Sequence, residues 1–485
     1  MWSDLIPRAS DGWVGMTIAL FALATLVQYL VLNLFACVQA RREFVREGLA
    51  DRLGLFEGDL APPISILVPA YDEAPTIVET VRSLMQLRYP STEIIVVNDG
   101  SNDDTLGTLI RAFGLRPSWR TTRARVPRER TRGVYSSPEY PALVVLDTLN
   151  GGKAQALNIA LAFSRHPLFC AIDADSVLER DTLLELALPF YLDASVVVTG
   201  GVVRPANGST IESGRVVSAR LSGRHLARFQ TVEYLRGMMG GRMGWDQLDC
   251  LYIVSGALGL FSREAVMQVG GYRTETLGED MELVMRVQRW ARRRGRKRAV
   301  RFVPAAVAWT EVPENIAALA RQRARWHQGL AESLWLNRTL LLNPRFSLRH
   351  AAAFLSQLFI ELLGPFWELV GIVLLAVQIS TGRLDWAFAA IYLGVFVLGG
   401  TINSLFGIAL ESVMCPRYDR SRDSALLILY AVLENFGYRQ MTAWWRVQGL
   451  WNALRRRQVW GTMARLGHAP VAEMAEPEPK QRRAA

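Results

Sequence analysis

Polar positions almost vanish between Trp13 and Val38, a run long enough to cross a bilayer, which takes about 20 apolar residues. Asp4, Arg8 and Asp11 precede it, so it lacks the basic start of a cleaved signal peptide. Arg41, Arg42 and Arg46 follow it, and the positive-inside bias puts the N-terminus outside and the next segment in the cytoplasm. From Ala61 to Arg338 the pattern becomes short apolar runs alternating with amphipathic stretches. "ISILVPA" (64–70), "EIIVVND" (93–99), "ALVVLD" (142–147), "LFCAID" (168–173) and "SVVVTGGVV" (195–203) read as buried parallel-type strands, with helical patterns such as Pro75–Met85 and Lys153–Ser164 between them. The alternation predicts an α/β domain with its chemistry at the carboxyl ends of the strands. Residues 114–141 interrupt it as a Pro- and Arg-rich loop.

After Arg349 the chain turns apolar again. Ala351–Ile379 and Trp386–Leu410 predict spans joined by "STGRLD". Ser424–Leu450 is ambiguous, because it contains Glu434, Asn435, Arg439 and Arg446. Lying along the interface, it keeps "LRRRQ" (454–458) in the cytoplasm; crossing, it breaks the charge bias or turns Glu434 and Arg439 toward a channel. The expected organisation is a membrane helix in 1–40, a cytoplasmic domain in 61–340, membrane and interfacial helices in 345–455, and a disordered tail in 469–485.

Composition narrows the partners. Half of the 485 residues are hydrophobic and 14 are tryptophan, which fits a mixed membrane and globular chain. The net charge of +10 suits nucleic acid, anionic lipid or an anionic substrate. Aromatic RNA-binding signatures are missing around "RRRGRKR" (292–298), so nucleic acid is not expected and anionic headgroups are. Cys37, Cys170, Cys250 and Cys415 lie far apart and predict neither a zinc site nor a disulfide framework.

The predicted strand ends are acidic. "VPAYDEAP" ends in Asp72 and Glu73, "VVNDGSNDDT" in Asp99, and "FCAIDADSVLER" in Asp173 and Asp175. Unpaired buried carboxylates cost several kcal/mol, so these acids are expected at an edge facing a cation, Mg²⁺ or Mn²⁺, that bridges to phosphate. "NGGKAQALN" (150–158) fails as a Walker A loop, since Asp147 stands at the first Gly and Ala154 follows the lysine. What remains is a Gly-Gly turn at a helix start beside Lys153, a suitable place for phosphate. In "TETLGEDMELVMRV" (274–287), Glu279 and Asp280 open a helix, where an acid also serves as a cap. "RQRARWHQG" (321–329) reads alone as an interfacial basic belt with an aromatic anchor.

Together these stretches resemble the membrane-bound family 2 glycosyltransferases, which include cellulose, chitin, hyaluronan and poly-N-acetylglucosamine synthases. "VNDGS", "GGKAQALN", "DAD", "GED" and Gln322-Arg323-Ala324-Arg325-Trp326 follow one another in that family's order over residues 61–340. A frequent "PAYNE" has Asp72 in place of its Asn here. The resemblance implies a GT-A-type (Rossmann-like) cytoplasmic domain inserted between transmembrane helices. It implies Glu73 and Asp99 at the uridine, Lys153 and Asp173 at the nucleotide, and Asp173 with Asp175 on the metal. Asp280 is then the general base. Gln322, Arg325 and Trp326 join the donor-binding set, Arg325 offsetting charge on the leaving diphosphate and Trp326 stacking under the acceptor sugar. Ser255, Gly256 and Glu279 fall on the acceptor side. The implied reaction is metal-dependent, inverting transfer from a UDP-sugar to a growing polysaccharide at a bacterial-type plasma membrane, with export. Transfer of one sugar to a lipid is the alternative. Membrane lipids and a second copy or accessory subunit are the expected partners, since so few spans leave little room for a pore.

Overall fold

The computed structural model describes residues 13–53, 61–120, 130–212, 214–342, 347–418 and 421–456. The acidic and basic flank before Trp13, the centre of the arginine loop and the tail at 469–485 lie outside the described residues.

The core is one ten-stranded mixed sheet in the order β3-β4-β5-β2-β1-β6-β11-β8-β12-β7. Its strands are β1 (Ile64–Ala70), β2 (Thr92–Asp99), β3 (Arg116–Ser118), β4 (Thr131–Ser136), β5 (Leu143–Thr148), β6 (Leu168–Ala171), β7 (Val177–Leu178), β8 (Val198–Pro205), β11 (Gly259–Ser262) and β12 (Val300–Thr310); β9 (Thr210–Glu212) and β10 (Arg215–Ser218) pair separately. β5, β2, β1 and β6 run parallel, with Ala70 opposite Asn98 and Asn98 opposite Asp147. Both faces of these strands are covered, so they need continuous runs of Ile, Val and Leu rather than an alternating pattern. Parallel alignment brings their carboxyl ends, and the acids that follow, to one edge.

The sequence pattern suggests parallel strands throughout, but the sheet is mixed. β11 lies antiparallel between β6 and β8. It is too short to show a period, and the expected run at 195–203 pairs only from Val198 onward. The expected loop at 114–141 also contains β3 and β4, which extend the sheet antiparallel beyond β5. β12 runs parallel to β8 and slips register between Phe302 and Val307, around Pro304, which has no N–H for the ladder.

Among the described residues two helices, Trp13–Val45 and Trp386–Met414, are long and apolar enough to cross a membrane. The span expected at Ala351–Ile379 is a pair, Leu348–Leu362 and Gly364–Ser380, bent by 42°. The ambiguous stretch at 424–450 is two helices, Ser421–Leu433 and Tyr438–Leu454. Gly437, at φ 102°, makes the corner between them, and the Gln440 side chain accepts its N–H at 2.7 Å. Glu434 pairs with Arg236 and accepts from the Ser404 hydroxyl at 2.5 Å. Arg439 donates to the Phe396 carbonyl (3.1 Å) and to Asn435 Oδ1 (2.9 Å). These polar groups tie helices together. The Tyr438–Leu454 helix packs along the Ile316–Leu336 helix so closely that Gly449 faces the Ala324 backbone, with no room for a Cβ. Cys170, Cys250 and Cys415 are buried, and all four cysteines are free thiols.

Candidate active site

The loop after β1 starts with Asp72 in a left-handed conformation (φ 53°), stabilised by its own Oδ1 accepting the Asn102 N–H at 2.7 Å. Glu73, next to it, is buried and accepts from the Thr76 hydroxyl at 2.9 Å. β2 ends in Asp99, whose carboxylate accepts the N–H groups of Gly151 (2.9 Å) and Gly152 (2.8 Å). Burial raises the pKa of Asp99, and the two glycine amides work against that rise. This corrects one expectation: these two amides of the Gly-Gly turn are not open to a phosphate, because Asp99 already uses them. Gly100 (φ 66°) permits the close approach, since a Cβ there would lie 2.6 Å from the Asn150 nitrogen.

The turn launches the Lys153–Phe163 helix and aims Lys153 at the strand ends. Its ammonium pairs with Asp173 and stands 4.0 Å from Glu279 Oε1. Burial alone would lower the Lys153 pKa, but the charges of Asp173, Glu279 and Asp280 overcome it and hold the group protonated. Asp175 is buried, and its Oδ1 accepts from Thr310 Oγ1 (3.3 Å) and Ser176 Oγ (3.4 Å). Among the described residues no cluster of three or more His, Cys, Asp or Glu gathers to hold a metal. The two aspartates still fit a hard divalent cation that takes its remaining oxygens from a diphosphate and water.

Gly278 is the N-cap of the Glu279–Arg293 helix and offers no side chain, so neither acid serves as the cap. Instead Asp280 is held from both sides: Oδ1 accepts the Met281 N–H (2.7 Å) and Oδ2 the Gly256 N–H (3.1 Å). A Cβ on Gly256 would stand 3.0 Å from Lys153 Nζ and 3.4 Å from Asp280 Oδ2, so this glycine lies directly against both side chains. Burial pushes the pKa of Glu279 up to about 7; Asp280 adds to the rise, while Lys153 and Arg325 oppose it. A carboxyl raised from 4.5 to about 7 holds its proton in the folded state after the unfolded chain has lost it. Stability from this group is therefore present at low pH and is lost as pH climbs through that window. Thermal melting of Glu279→Gln between pH 5 and 7.5 is expected to show a flatter decline than the wild type. Identical slopes would contradict the assignment.

Gln322, Arg325 and Trp326 lie on the Ile316–Leu336 helix, which reaches the acids through a glycine contact. Cβ atoms built on Gly278 or Gly329 would come within 2.7 Å of the other residue's backbone. Gly329→Ala is expected to cost about 1–3 kcal/mol by overpacking and to cut activity, read by melting and turnover; an unchanged variant would show the contact to be loose. Gln322 is buried and accepts from Arg323 at 2.9 Å, while Arg323 pairs with Glu233 at 2.8 Å. Trp326 is 44% exposed, 6.3 Å from the Tyr234 ring, with the Arg323 guanidinium 4.4 Å from its centroid.

Thus Lys153, Asp173, Gly256, Glu279 and Asp280 meet at the carboxyl edge of the sheet, with Arg325 in electrostatic range. Glu73 and Asp99 stand on the neighbouring strand ends. The family model described as glycosyltransferase like family 2 matches residues 62–329, the stretch that carries all of these residues. The chain belongs to this glycosyltransferase family.

Relatives within it include two poly-β-1,6-N-acetyl-D-glucosamine synthases. That of Staphylococcus epidermidis is 26% identical over 293 residues, 60% of this chain and 60% of its own. That of Staphylococcus aureus (strain COL) is 26% identical over 272 residues, 56% of this chain and 55% of its own. The matches therefore span little more than half of either relative. The mannosyltransferase of Pyrobaculum calidifontis, solved with GDP-mannose and Mn²⁺, superposes with a TM-score of 0.52 at 17% identity, over 91% of this chain and all of the other. That likeness identifies the fold as GT-A-like.

Reading by motif missed two neighbours of these residues. Tyr234 stands beside Trp326, and Arg242 lies in electrostatic reach of Asp280 with its Nη1 buried and without a hydrogen-bond partner. Tyr234 is in the His225–Leu235 helix, and Arg242 ends the π-helical turn Arg236–Arg242 that follows it, which ordinary 3.6-residue periodicity does not announce.

Proposed function

We propose that the chain moves a sugar from a UDP-sugar to a growing polysaccharide at the cytoplasmic face of a bacterial plasma membrane, with inversion at the anomeric carbon. The observation that carries this reading is the meeting of Lys153, Asp173, Gly256, Glu279 and Asp280 from distant segments at one sheet edge. The names of the staphylococcal relatives favour N-acetylglucosamine as the sugar and a β-1,6 polymer as the product. Arg41 and Arg42, after the first span, favour the cytoplasmic side for the domain.

In this reading Glu73 and Asp99 flank the uridine, Asp99 through the turn it fixes. Lys153 exchanges Asp173 for the diphosphate when the donor arrives. Asp173 and Asp175 would hold Mg²⁺ or Mn²⁺, which supplies charge neutralisation on the diphosphate. Asp280, aimed by two backbone N–H groups, takes the proton of the acceptor hydroxyl as its oxygen forms the new bond to the anomeric carbon. The bond from that carbon to the diphosphate oxygen breaks, and UDP leaves with the electron pair beside Lys153 and Arg325. A single displacement converts an α-linked donor into a β-linked product. Ser255, Gly256, Glu279 and Trp326 border the acceptor, whose sugar ring stacks on the exposed indole face, with Gln322 supporting that helix from within.

The test is a panel of UDP-sugars given to the purified chain in nanodiscs, with products sized chromatographically. A ladder of oligomers from UDP-N-acetylglucosamine is expected. A single glycolipid would move the reading to one-sugar transfer onto lipid.

A further inference from the structure

The segment that delivers Asp175 is fastened to a membrane helix. Directly after Asp175 comes β7, an edge strand of two residues that pairs antiparallel with β12 at Trp309 and Ala308. So short an edge strand has little cohesion of its own. Glu179, which follows it, is held on both sides: its N–H donates to the Val307 carbonyl (3.1 Å), and Oε1 accepts from Trp309 Nε1 (3.1 Å). Arg417 closes a two-bond fork on the same carboxylate, through Nε to Oε1 (2.9 Å) and Nη2 to Oε2 (2.7 Å).

Arg417 lies just beyond the Met414 end of the Trp386–Met414 helix. A second layer fixes that end to β8. Arg204 is fully buried at the end of β8, donates to Glu411 Oε1 (2.7 Å) and the Cys415 carbonyl (3.0 Å), and lies over the rings of Trp309 (5.9 Å) and Tyr418 (5.8 Å). Glu411 Oε1 also accepts the Arg417 N–H at 3.3 Å, which joins the two layers. On the other side, Thr310, the neighbour of Trp309 on β12, donates to Asp175 at 3.3 Å. A continuous chain of contacts therefore runs from the membrane helix through Arg417, Glu179, Trp309 and Thr310 to Asp175.

We propose that Glu179 and Arg417 are positioning residues of the donor site, and that through them the Met414 end of the membrane helix sets the place of Asp175. The proposal rests on the reading of Asp175 as a donor-site carboxylate. Glu179 acts in this proposal through its partners and not on the donor itself, since Trp309 and Arg417 engage both of its carboxylate oxygens. The fork is partly exposed, with side chains 33% and 26% accessible, so it tolerates substitution better than the buried Arg204–Glu411 pair. A bidentate fork specifies direction as well as distance, which a lysine at 417 cannot reproduce.

The experiment titrates UDP onto the full chain in nanodiscs, with and without Mn²⁺, for the wild type, Glu179→Gln and Arg417→Lys. Loss of these charge-assisted bonds is expected to weaken Mn²⁺-dependent UDP binding by about tenfold and to raise the donor KM, while kcat at saturation stays within about twofold. UDP binding without Mn²⁺ is expected to stay as in the wild type. Melting near the wild-type temperature for Arg417→Lys separates positioning from unfolding. Variants that bind UDP in Mn²⁺ as the wild type does, or that lose kcat with the donor KM unchanged, would overturn the proposal. A wild type without Mn²⁺-dependent UDP binding would overturn the donor-site reading itself, and this inference with it.

Discussion

Asp280→Asn is expected to leave UDP binding within about twofold of the wild type while turnover falls by roughly 10²–10⁴-fold, the usual worth of a positioned general base. The substitution keeps the shape of the side chain and an oxygen that can accept one of the two N–H groups, from Met281 or Gly256, that orient Asp280. What it removes is the capacity to take a proton. Glu279 is not expected to take over, because its carboxylate faces the Lys153 ammonium at 4.0 Å, on the nucleotide side. The check is paired, UDP titration beside single-turnover kinetics with acceptor present. Normal turnover would remove Asp280 from the base role, and loss of UDP binding would move it to the donor side.

Asp175→Asn is expected to do the opposite. Donor binding in Mn²⁺ should weaken by about 100-fold or more, because the cation loses one of the two aspartates proposed to hold it. Binding of UDP without metal should change little. Asp175 is buried and its Oδ1 receives the Thr310 hydroxyl, and an amide oxygen in the same position can accept that bond. The fold is therefore expected to survive, and calorimetric titration with and without Mn²⁺ reads the site directly. Equal affinities for variant and wild type in Mn²⁺ would refute the metal assignment.

The two predictions concern residues that the chain announces in different ways. Asp173 and Asp175 were visible because an apolar run such as "LFCAID" has no reason to end in carboxylates unless it ends at an edge. β1, β2 and β5 were legible as apolar runs rich in Ile, Val and Leu, and β6 as the short apolar run Leu168–Ala171, each beside amphipathic helical patterns. β11 was not, because four residues carry no period, and β3 and β4 were hidden among arginines and prolines. The "GED" acids were ambiguous locally and became clear only in space, where Gly278 occupies the cap and Asp280 turns to Gly256. Spacing could not reveal that Asp99 consumes the amides of the Gly-Gly turn, since the partners are more than fifty positions apart. Nor could it reveal that Glu434 and Arg439, on either side of the Gly437 corner, bond across to Arg236 and to the Phe396 carbonyl.

The central claim is that the converged acids and Lys153 form a sugar-transfer site. The most direct measurement is UDP release by the purified chain in nanodiscs supplied with UDP-N-acetylglucosamine and Mn²⁺, compared with Asp280→Asn in the same preparation. Sustained UDP release by the wild type, matched by incorporation of sugar into product and lost in the variant, is the predicted result. Absence of UDP release from every UDP-sugar tested, by a preparation that melts cooperatively, would contradict the account.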